Sequence, residues 1–314
     1  MTSRKTVSLA LGSGSSRGWA HIGVIEALEE ADIPIDYIVG SSTGSYVGAL
    51  YACGSLQSLK EFVLKMDGKK VFSYFDVVFP RSGLLDGTRR LKELFSIHTE
   101  VDDFSELTIP VLMVATDLVT GKKVVLKSGN IFTALRATMS IPGLFAPVQF
   151  KDRWLVDGGV VDPVPVGVAR ALEADIVIAV DLNSGVVSHQ KQKKQPRKTV
   201  QKTGEPVIYK SEMLQKMVDY YEHAETSFTG KINELLHRES STPDILETVM
   251  TSINIMQERI TRTNLAVEPP DILIQPRLGQ LKMMDFDQVE QTIKEGYLGV
   301  KEKIEDIRKL LEPN

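Results

Sequence analysis

Short apolar runs alternate with helical patterns over the first part of the chain. The runs Val7–Leu11 and Ile35–Val39 are rich in branched side chains and predict buried strands. Between them, apolar positions recur at helical spacing from Trp19 to Glu30, and the small, apolar segment Tyr46–Cys53 follows the second run. This order of strand, helix, strand and helix predicts a βαβα unit, in which right-handed crossovers join parallel strands.

The same alternation continues to the end of the chain. Further apolar runs predict strands at Val111–Thr116, Trp154–Val156, Ile176–Val180 and Asp271–Gln275. Helical spacing predicts helices at Asn130–Met139, Pro206–Leu236, Pro243–Thr263 and Asp285–Leu311. We therefore expect an α/β fold with a mostly parallel central sheet and a helical insertion or cap.

Composition and charge exclude several classes of function. At 314 residues the chain can bury a large core, and its formal net charge of -4 gives no reason to expect a nucleic-acid partner. The single cysteine, Cys53, excludes an internal disulfide framework and a multi-cysteine metal site. No apolar stretch approaches the roughly 18 residues of a membrane span, and the N-terminal run is too short for a signal peptide. We expect a soluble cytoplasmic protein without a metal or another cofactor.

The segment Gly40-Ser41-Ser42-Thr43-Gly44 lies between the second predicted strand and the helix after it. A serine between two glycines at such a junction is typical of a nucleophile elbow, where the serine adopts a strained backbone conformation. The glycines are needed because Cβ atoms at their positions would collide with the turn. Ser42 is the central residue of the motif and is the predicted nucleophile.

A second glycine-rich turn, Gly12-Ser13-Gly14-Ser15-Ser16-Arg17-Gly18, follows the first predicted strand. Because a helix begins there, backbone N–H groups and the positive end of the helix dipole converge on the turn, which makes it a candidate oxyanion hole. A dinucleotide-binding loop is the alternative. That motif needs a third glycine where Arg17 stands and an acidic residue after the next strand, where Gly40 and Ser42 stand, so the alternative is disfavoured.

No histidine lies where a Ser-His-Asp triad requires its base, on a loop after a late strand. The five histidines lie in predicted helices, beside an acidic loop or in a polar linker: His21, His98, His189, His223 and His237. Asp157 instead ends a short predicted strand, and Gly158 and Gly159 after it allow a tight turn. The economical arrangement is a Ser42–Asp157 dyad. An aspartate has an ordinary pKa of about 3.9, so such a base requires a desolvated site.

Together the three motifs resemble the patatin-like phospholipase family, most closely its short bacterial, RssA-like branch, which is similar to the catalytic domain of neuropathy target esterase. The order is the same: a glycine-rich turn, a serine elbow soon after it and an aspartate turn much later. Three further segments extend the resemblance over nearly the whole chain: Arg17–Glu26 (RGWAHIGVIE), Ser140–Pro147 (SIPGLFAP) and Pro269–Pro276 (PPDILIQP).

The resemblance implies a three-layer α/β/α fold and hydrolysis of phospholipid or lysophospholipid acyl esters. It implies that Ser42 is the nucleophile and Asp157 the base. The N–H groups of Gly14 and Ser15 would form the oxyanion hole, and Arg17 would anchor the turn or meet a substrate phosphate. Two alternatives stay open: acyl transfer by the same dyad, and a regulatory or scaffold protein that keeps the fold with little turnover.

Two departures from the family pattern affect these expectations. Ser13 and Ser15 interrupt the family's glycine run, which backbone donation tolerates only if these residues do not need positive φ. Asp162 stands where the family usually has asparagine after the aspartate turn. We expect its charge to raise the pKa of Asp157.

The composition divides the chain into three segments. Residues 1–183 are predicted to form a patatin-like catalytic core, 184–265 a basic linker with a helical insertion or cap, and 266–314 a strand and helix that complete the core. Within the linker, Lys191–Lys198 holds five basic residues and no acid. This favours a solvated linker, and peripheral contact with an anionic membrane at its inner face is the alternative. The sequence does not predict the oligomeric state.

Overall fold

The computed structural model describes residues 4–65, 88–185, 245–281 and 285–312. Within these ranges eight strands form one sheet: β1 (Val7–Leu11), β2 (Tyr37–Ser41), β3 (Val111–Asp117), β4 (Lys123–Leu126), β5 (Val148–Phe150), β6 (Arg153–Asp157), β7 (Ile176–Val180) and β8 (Ile272–Ile274). The helices are α1 (Ala20–Glu30), α2 (Thr43–Ala52), α3 (Leu56–Leu64), α4 (Thr88–Ser96), α5 (Ile131–Thr138), α6 (Val166–Arg170), α7 (Ile245–Val267), α8 (Val289–Lys301) and α9 (Ile304–Leu311).

Hydrogen-bonded pairs connect the strands in the path β5-β6-β3-β2-β1-β7-β8, and β4 also pairs with β3. The five strands from β3 to β8 in this order are parallel. The pairs β3–β4, β3–β6 and β5–β6 are antiparallel. The predicted α/β fold with a mostly parallel sheet is confirmed.

Helices cover both faces of this sheet. Every residue of β1, β3 and β7 is buried, as expected for parallel strands covered on both sides. One face packs against apolar residues of α1, α2 and α8. The other face packs against α6 and against Leu265 near the end of α7. The sheet and its helices therefore form three layers.

Helices α1 and α8 approach closely through two glycines. A Cβ at Gly23 would lie 1.9 Å from the carbonyl oxygen of Ile293, and a Cβ at Gly296 would lie 1.9 Å from that of Ala20. Larger side chains at either glycine would push the helix backbones apart. Helix α8 thereby fixes α1, which follows the glycine-rich turn.

Most predicted elements are present with altered ends. β1 and β7 occupy the predicted residues, whereas β2 lies two residues later than predicted because its hydrogen-bonded partners on β1 and β3 begin opposite Tyr37 and Ile38. The predicted terminal helix is in fact two helices, separated by a turn beyond which Ile307 is fully buried.

The predicted helix Pro206–Leu236 and the basic segment Lys191–Lys198 lie outside the described residues. None of the helices within the described ranges has the length and apolar character to cross a membrane.

Candidate active site

Ser42 lies at the junction of β2 and α2, where its backbone adopts φ 55° and ψ −124°. Such a conformation is strained for a residue with a Cβ and persists only where the surroundings enforce it. The flanking glycines provide the room: a Cβ at Gly40 would lie 2.4 Å from the Cα of Ser45, and a Cβ at Gly44 would lie 2.2 Å from the carbonyl oxygen of Leu11. This is the geometry of a nucleophile elbow.

Asp157 lies beside the elbow because β6 pairs with β3 directly beyond the point where β2 ends. Ser41, the last residue of β2, pairs with Val114 of β3. The next residue of β3, Ala115, pairs with Asp157 of β6. β4 pairs with residues 113–116 of β3, which include residues paired with β2 and residues paired with β6. Because β4 occupies one edge of β3 there, β2 and β6 must both lie along the other edge. The carboxyl ends of β2 and β6 therefore meet end to end, which places Asp157 beside Ser42.

The two side chains are in direct contact. Ser42 Oγ donates a hydrogen bond of 2.6 Å to Oδ2 of Asp157, and the N–H of Gly159 donates to Oδ1 at 2.7 Å. Thr116 Oγ1 donates to the Asp157 carbonyl oxygen at 2.8 Å. A Cβ at Gly158 would lie 2.1 Å from a backbone oxygen of β3, so the turn after Asp157 requires glycine. These contacts fix the carboxylate toward the serine hydroxyl.

The pKa of Asp157 is raised to about 7. Burial of the carboxylate is the main cause, opposed by the hydrogen bonds from Ser42 and Gly159. The expectation that Asp162 raises this pKa is wrong: Asp162 is not among the causes of the shift, and its carboxylate forms an ion pair of 2.6 Å with Lys123. Desolvation alone therefore brings Asp157 into the range of a base that operates near neutral pH.

Thr138, at the end of α5, anchors the elbow. Its Oγ1 accepts a hydrogen bond of 3.0 Å from the N–H of Ser42, donates to the carbonyl oxygen of Val114 and lies 3.3 Å from Ser45 Oγ. The side chain is fully buried. The sequence analysis missed this residue, since a threonine at the end of an ordinary helix carries no motif.

The glycine-rich turn after β1 lies against both the elbow and the aspartate turn. A Cβ at Gly44 would lie 2.8 Å from the carbonyl oxygen of Gly12, and a Cβ at Gly159 would lie 2.9 Å from Ser13 Oγ. The N–H of Gly12 donates a hydrogen bond to a carbonyl oxygen of β7, and the N–H of Ser13 donates to a carbonyl oxygen of the segment before α6. The three predicted motifs therefore converge at the carboxyl edge of the sheet.

Gly14 and Ser15 lead into a short 3₁₀ helix, Ser15–Trp19. Within the described ranges, no oxygen accepts a hydrogen bond from the N–H of Gly14 or Ser15. Ser15 has φ 52°, whereas Ser13 is outside the positive-φ region. The condition that the serines do not need positive φ is therefore met at Ser13 but not at Ser15, which carries strain that glycine would avoid.

Arg17 holds this turn from inside the protein. Its Nε donates to the carbonyl oxygen of Gly14 at 3.3 Å, and its Nη2 donates to Oδ1 of Asn254 on α7 at 2.8 Å. Burial lowers the pKa of Arg17 to about 10, so it stays protonated at neutral pH. Of the two roles expected for Arg17, anchoring fits this geometry, and its side chain is fully buried. At the adjacent Gly18, a Cβ would lie 2.5 Å from Thr43 Oγ1 on the elbow.

Helix α7 adds polar contacts that the sequence analysis did not assign. Gln257 Oε1 lies 3.4 Å from both Ser13 Oγ and Asn183 Nδ2. Asn183 Nδ2 also donates to the Ser13 carbonyl oxygen at 3.0 Å. A Cβ at Gly159 would lie 2.3 Å from Gln257 Nε2. The helix thus joins the glycine-rich turn to the aspartate turn.

The two histidines in the described ranges have other partners. His21 Nε2 lies 2.7 Å from the carbonyl oxygen of Gly12, and burial lowers its pKa to about 4. This ring is therefore neutral and supports the glycine-rich turn. His98 Nδ1 lies 2.8 Å from Ser58 Oγ. The remaining candidates, His189, His223 and His237, lie outside the described residues.

Comparisons with known proteins match the part of the chain that holds these motifs. The family model for patatin-like phospholipase matches residues 9–170. An uncharacterized NTE family protein of Mycobacterium tuberculosis is 39% identical over 182 residues, which cover 58% of this chain and 50% of that protein. Lysophospholipase NTE1 of Coccidioides immitis is 35% identical over 187 residues, covering 57% and 12% of the two chains. The crystal structure of VipD from Legionella pneumophila is similar with a TM-score of 0.47 and 10% identity, covering 97% of this chain and 67% of that one.

The matched range contains the glycine-rich turn, the elbow and the aspartate turn. The aligned residues span about half the length of the mycobacterial relatives. The family model covers more than half of the 314 residues of this chain. On these grounds, the chain belongs to the patatin-like phospholipase family.

Proposed function

We propose that this protein is a serine acyl-ester hydrolase that acts on phospholipids or lysophospholipids. The observation that carries the proposal is the 2.6 Å hydrogen bond from Ser42 Oγ to Asp157 Oδ2 at a strained, buried turn. The family, and the name of the fungal lysophospholipase, support a lipid ester as the substrate.

Acylation of Ser42 is the first proposed step. The ionised Asp157 accepts the hydroxyl proton as Ser42 Oγ attacks the ester carbonyl, and a tetrahedral oxyanion forms. When this intermediate collapses, the protonated Asp157 returns the proton to the departing alcohol. The bond from the acyl carbon to the alcohol oxygen breaks, and the acyl group remains on Ser42.

Deacylation repeats the chemistry with water. Asp157 accepts a proton from a water molecule that attacks the acyl-enzyme, and the proton then returns to Ser42 Oγ as the fatty acid leaves. The N–H groups of Gly14 and Ser15 are the proposed donors to both oxyanions. Their lack of acceptors among the described residues supports this role, because a preformed donor needs no reorganisation during the reaction.

We expect a fluorophosphonate probe to label Ser42. The oxygen of an activated serine displaces fluoride from the probe and is phosphonylated, so mass spectrometry of the labelled peptide should locate the modification at Ser42 rather than at its neighbour Ser41. Ser41→Ala is the matched control and should still be labelled, whereas Ser42→Ala should not. Labelling that survives Ser42→Ala would contradict the proposal.

A panel of short esters, lysophospholipids and diacyl phospholipids then tests the substrate class. Ser42-dependent release of fatty acid from either lipid class is the expected result. Products that carry the acyl group on an added alcohol would favour acyl transfer. An intact protein that neither reacts with the probe nor turns over any ester would favour the regulatory alternative.

The pH dependence follows from the state of Asp157. The base must be ionised, and its pKa is raised to about 7, so kcat/KM for an uncharged ester should rise about tenfold per pH unit below pH 7 and level off above it. The measurement uses initial rates of a short-chain ester between pH 5 and 9, after confirming that the protein stays folded. A rate that is already constant from pH 5 upward would contradict a base with this raised pKa.

A further inference from the structure

Two hairpin turns project beyond the sheet edge that holds the candidate site. They are the turn between β3 and β4 and the turn between β5 and β6. The ladder that pairs Ala115 with Asp157 continues outward, where the N–H of Leu118 donates to the carbonyl oxygen of Trp154 at 2.8 Å. From Ala115 to Asp117, the last residue of β3, is two residues, so at about 3.3 Å per residue β3 ends roughly 7 Å outward from Asp157 and the turns lie beyond that point.

The β3–β4 turn and the adjoining start of β6 expose large apolar side chains. Val119 is 80% exposed, Leu118 53% and Trp154 47%. Leu118 and Trp154 lie opposite each other in the ladder, which places their side chains on the same face. Neighbouring apolar side chains left in water at one place on a protein are typical of an interaction surface.

The same turns are basic. We call residues 118–123 and 151–154 the hairpin rim, and its charged residues are Lys122, Lys123, Lys151, Asp152 and Arg153. Lys123 pairs with Asp162 at 2.6 Å, and Arg153 lies 4.0 Å from Asp117. Lys122 and Lys151 are exposed at the two turns. The rim thus combines apolar tips with a net positive charge.

We infer that the hairpin rim docks on an anionic phospholipid surface. Apolar side chains at the tips would enter the boundary between headgroups and acyl chains, while the lysines would bind the anionic headgroups. The charge complementarity favours this partner over a neutral or basic protein surface. The inference rests on the proposed function, since docking here would bring lipid esters to the edge of the sheet that holds Ser42.

Vesicle sedimentation tests the docking. The Ser42→Ala protein is used so that hydrolysis cannot alter the vesicles, which contain phosphatidylcholine with or without phosphatidylglycerol. We expect Val119→Asp to weaken binding to the anionic vesicles about tenfold. Lys122→Glu with Lys151→Glu should weaken it by at least about tenfold and abolish the preference for anionic vesicles.

Val267→Asp is the matched control. Val267 is 75% exposed and lies at the end of α7, which leads into the amino end of β8 and hence to the opposite edge of the sheet. This variant should bind vesicles as the parent protein does. Equal binding by the Val119→Asp and Val267→Asp proteins would overturn the inference. Rim substitutions that break self-association without changing vesicle binding would also overturn it and assign the rim to a second copy of the chain.

Turnover of a soluble short-chain ester separates this inference from the proposed function. With Ser42 intact, Val119→Asp should hydrolyse such an ester at the parent rate and lose activity only on vesicles. Rim-dependent vesicle binding by a protein with no Ser42-dependent esterase activity would contradict the proposed function while supporting the docking. Normal ester turnover by a protein whose vesicle binding does not depend on the rim would support the proposed function and contradict the docking.

Discussion

Replacement of Ser42 by alanine or of Asp157 by asparagine is expected to lower ester turnover by about 10³-fold or more. Alanine removes the attacking oxygen. Asparagine keeps the size of the aspartate and can still accept from the N–H of Gly159, but it cannot take the proton of Ser42. Because the two residues act as a unit, the double variant should lose about as much activity as the worse single variant.

The measurement is kcat/KM for a soluble ester, with the folded state of each variant checked by its unfolding transition. Asp162→Asn is the matched control: Asp162 is a buried carboxylate in the same turn region, but it pairs with Lys123. It should retain activity far better than Asp157→Asn. Similar losses for both substitutions would indicate that the effect comes from disturbing a buried carboxylate and not from removing the base.

Replacement of Gly44 by alanine is expected to have the largest effect on folding. The added Cβ would lie 2.2 Å from the carbonyl oxygen of Leu11 and 2.8 Å from that of Gly12. Both are backbone atoms, so α2 would have to move away from β1 and the elbow would lose its geometry. We expect the free energy of unfolding to fall by roughly 3 kcal/mol or more, or soluble protein not to form.

Gly299→Ala provides the comparison. Gly299 also lies in a helix, but its added Cβ would meet side-chain atoms, with Ile274 Cγ2 at 3.1 Å and Pro276 Cγ at 3.7 Å. Since alanine favours a helix by about 1 kcal/mol over glycine, this substitution should leave stability within about 1 kcal/mol of the parent. Urea unfolding measures both variants. A Gly44→Ala protein as stable as Gly299→Ala would show that the elbow tolerates a Cβ.

Local patterns in the sequence predicted much of the fold. β1 and β7 are short, apolar and bounded by clear turns, so their ends were predicted correctly. β4 and β5 were missed because these edge strands are short and partly exposed, which weakens the apolar signal. The break between α8 and α9 was missed because it depends on how Ile307 packs against the core.

The candidate site was predictable only as separate motifs. The glycines around Ser42 and after Asp157 are required by the local backbone conformation, so they are visible in the sequence itself. The end-to-end meeting of β2 and β6 beside β3 depends on strand pairing between distant segments, and no local pattern encodes it. Thr138, Asn183 and Gln257 act through contacts of the same long-range kind, so sequence reasoning had no signal for them.

The distance along the chain between Ser42 and Asp157 has a consequence during biosynthesis. The two residues are 115 positions apart. At 5–20 residues per second, a ribosome needs roughly 6 to 23 s to add Asp157 after Ser42. Throughout that interval the nascent chain contains the elbow sequence but not the proposed base. On the proposed function, the growing polypeptide therefore gains hydrolytic activity only after β6 has been made and has joined the sheet.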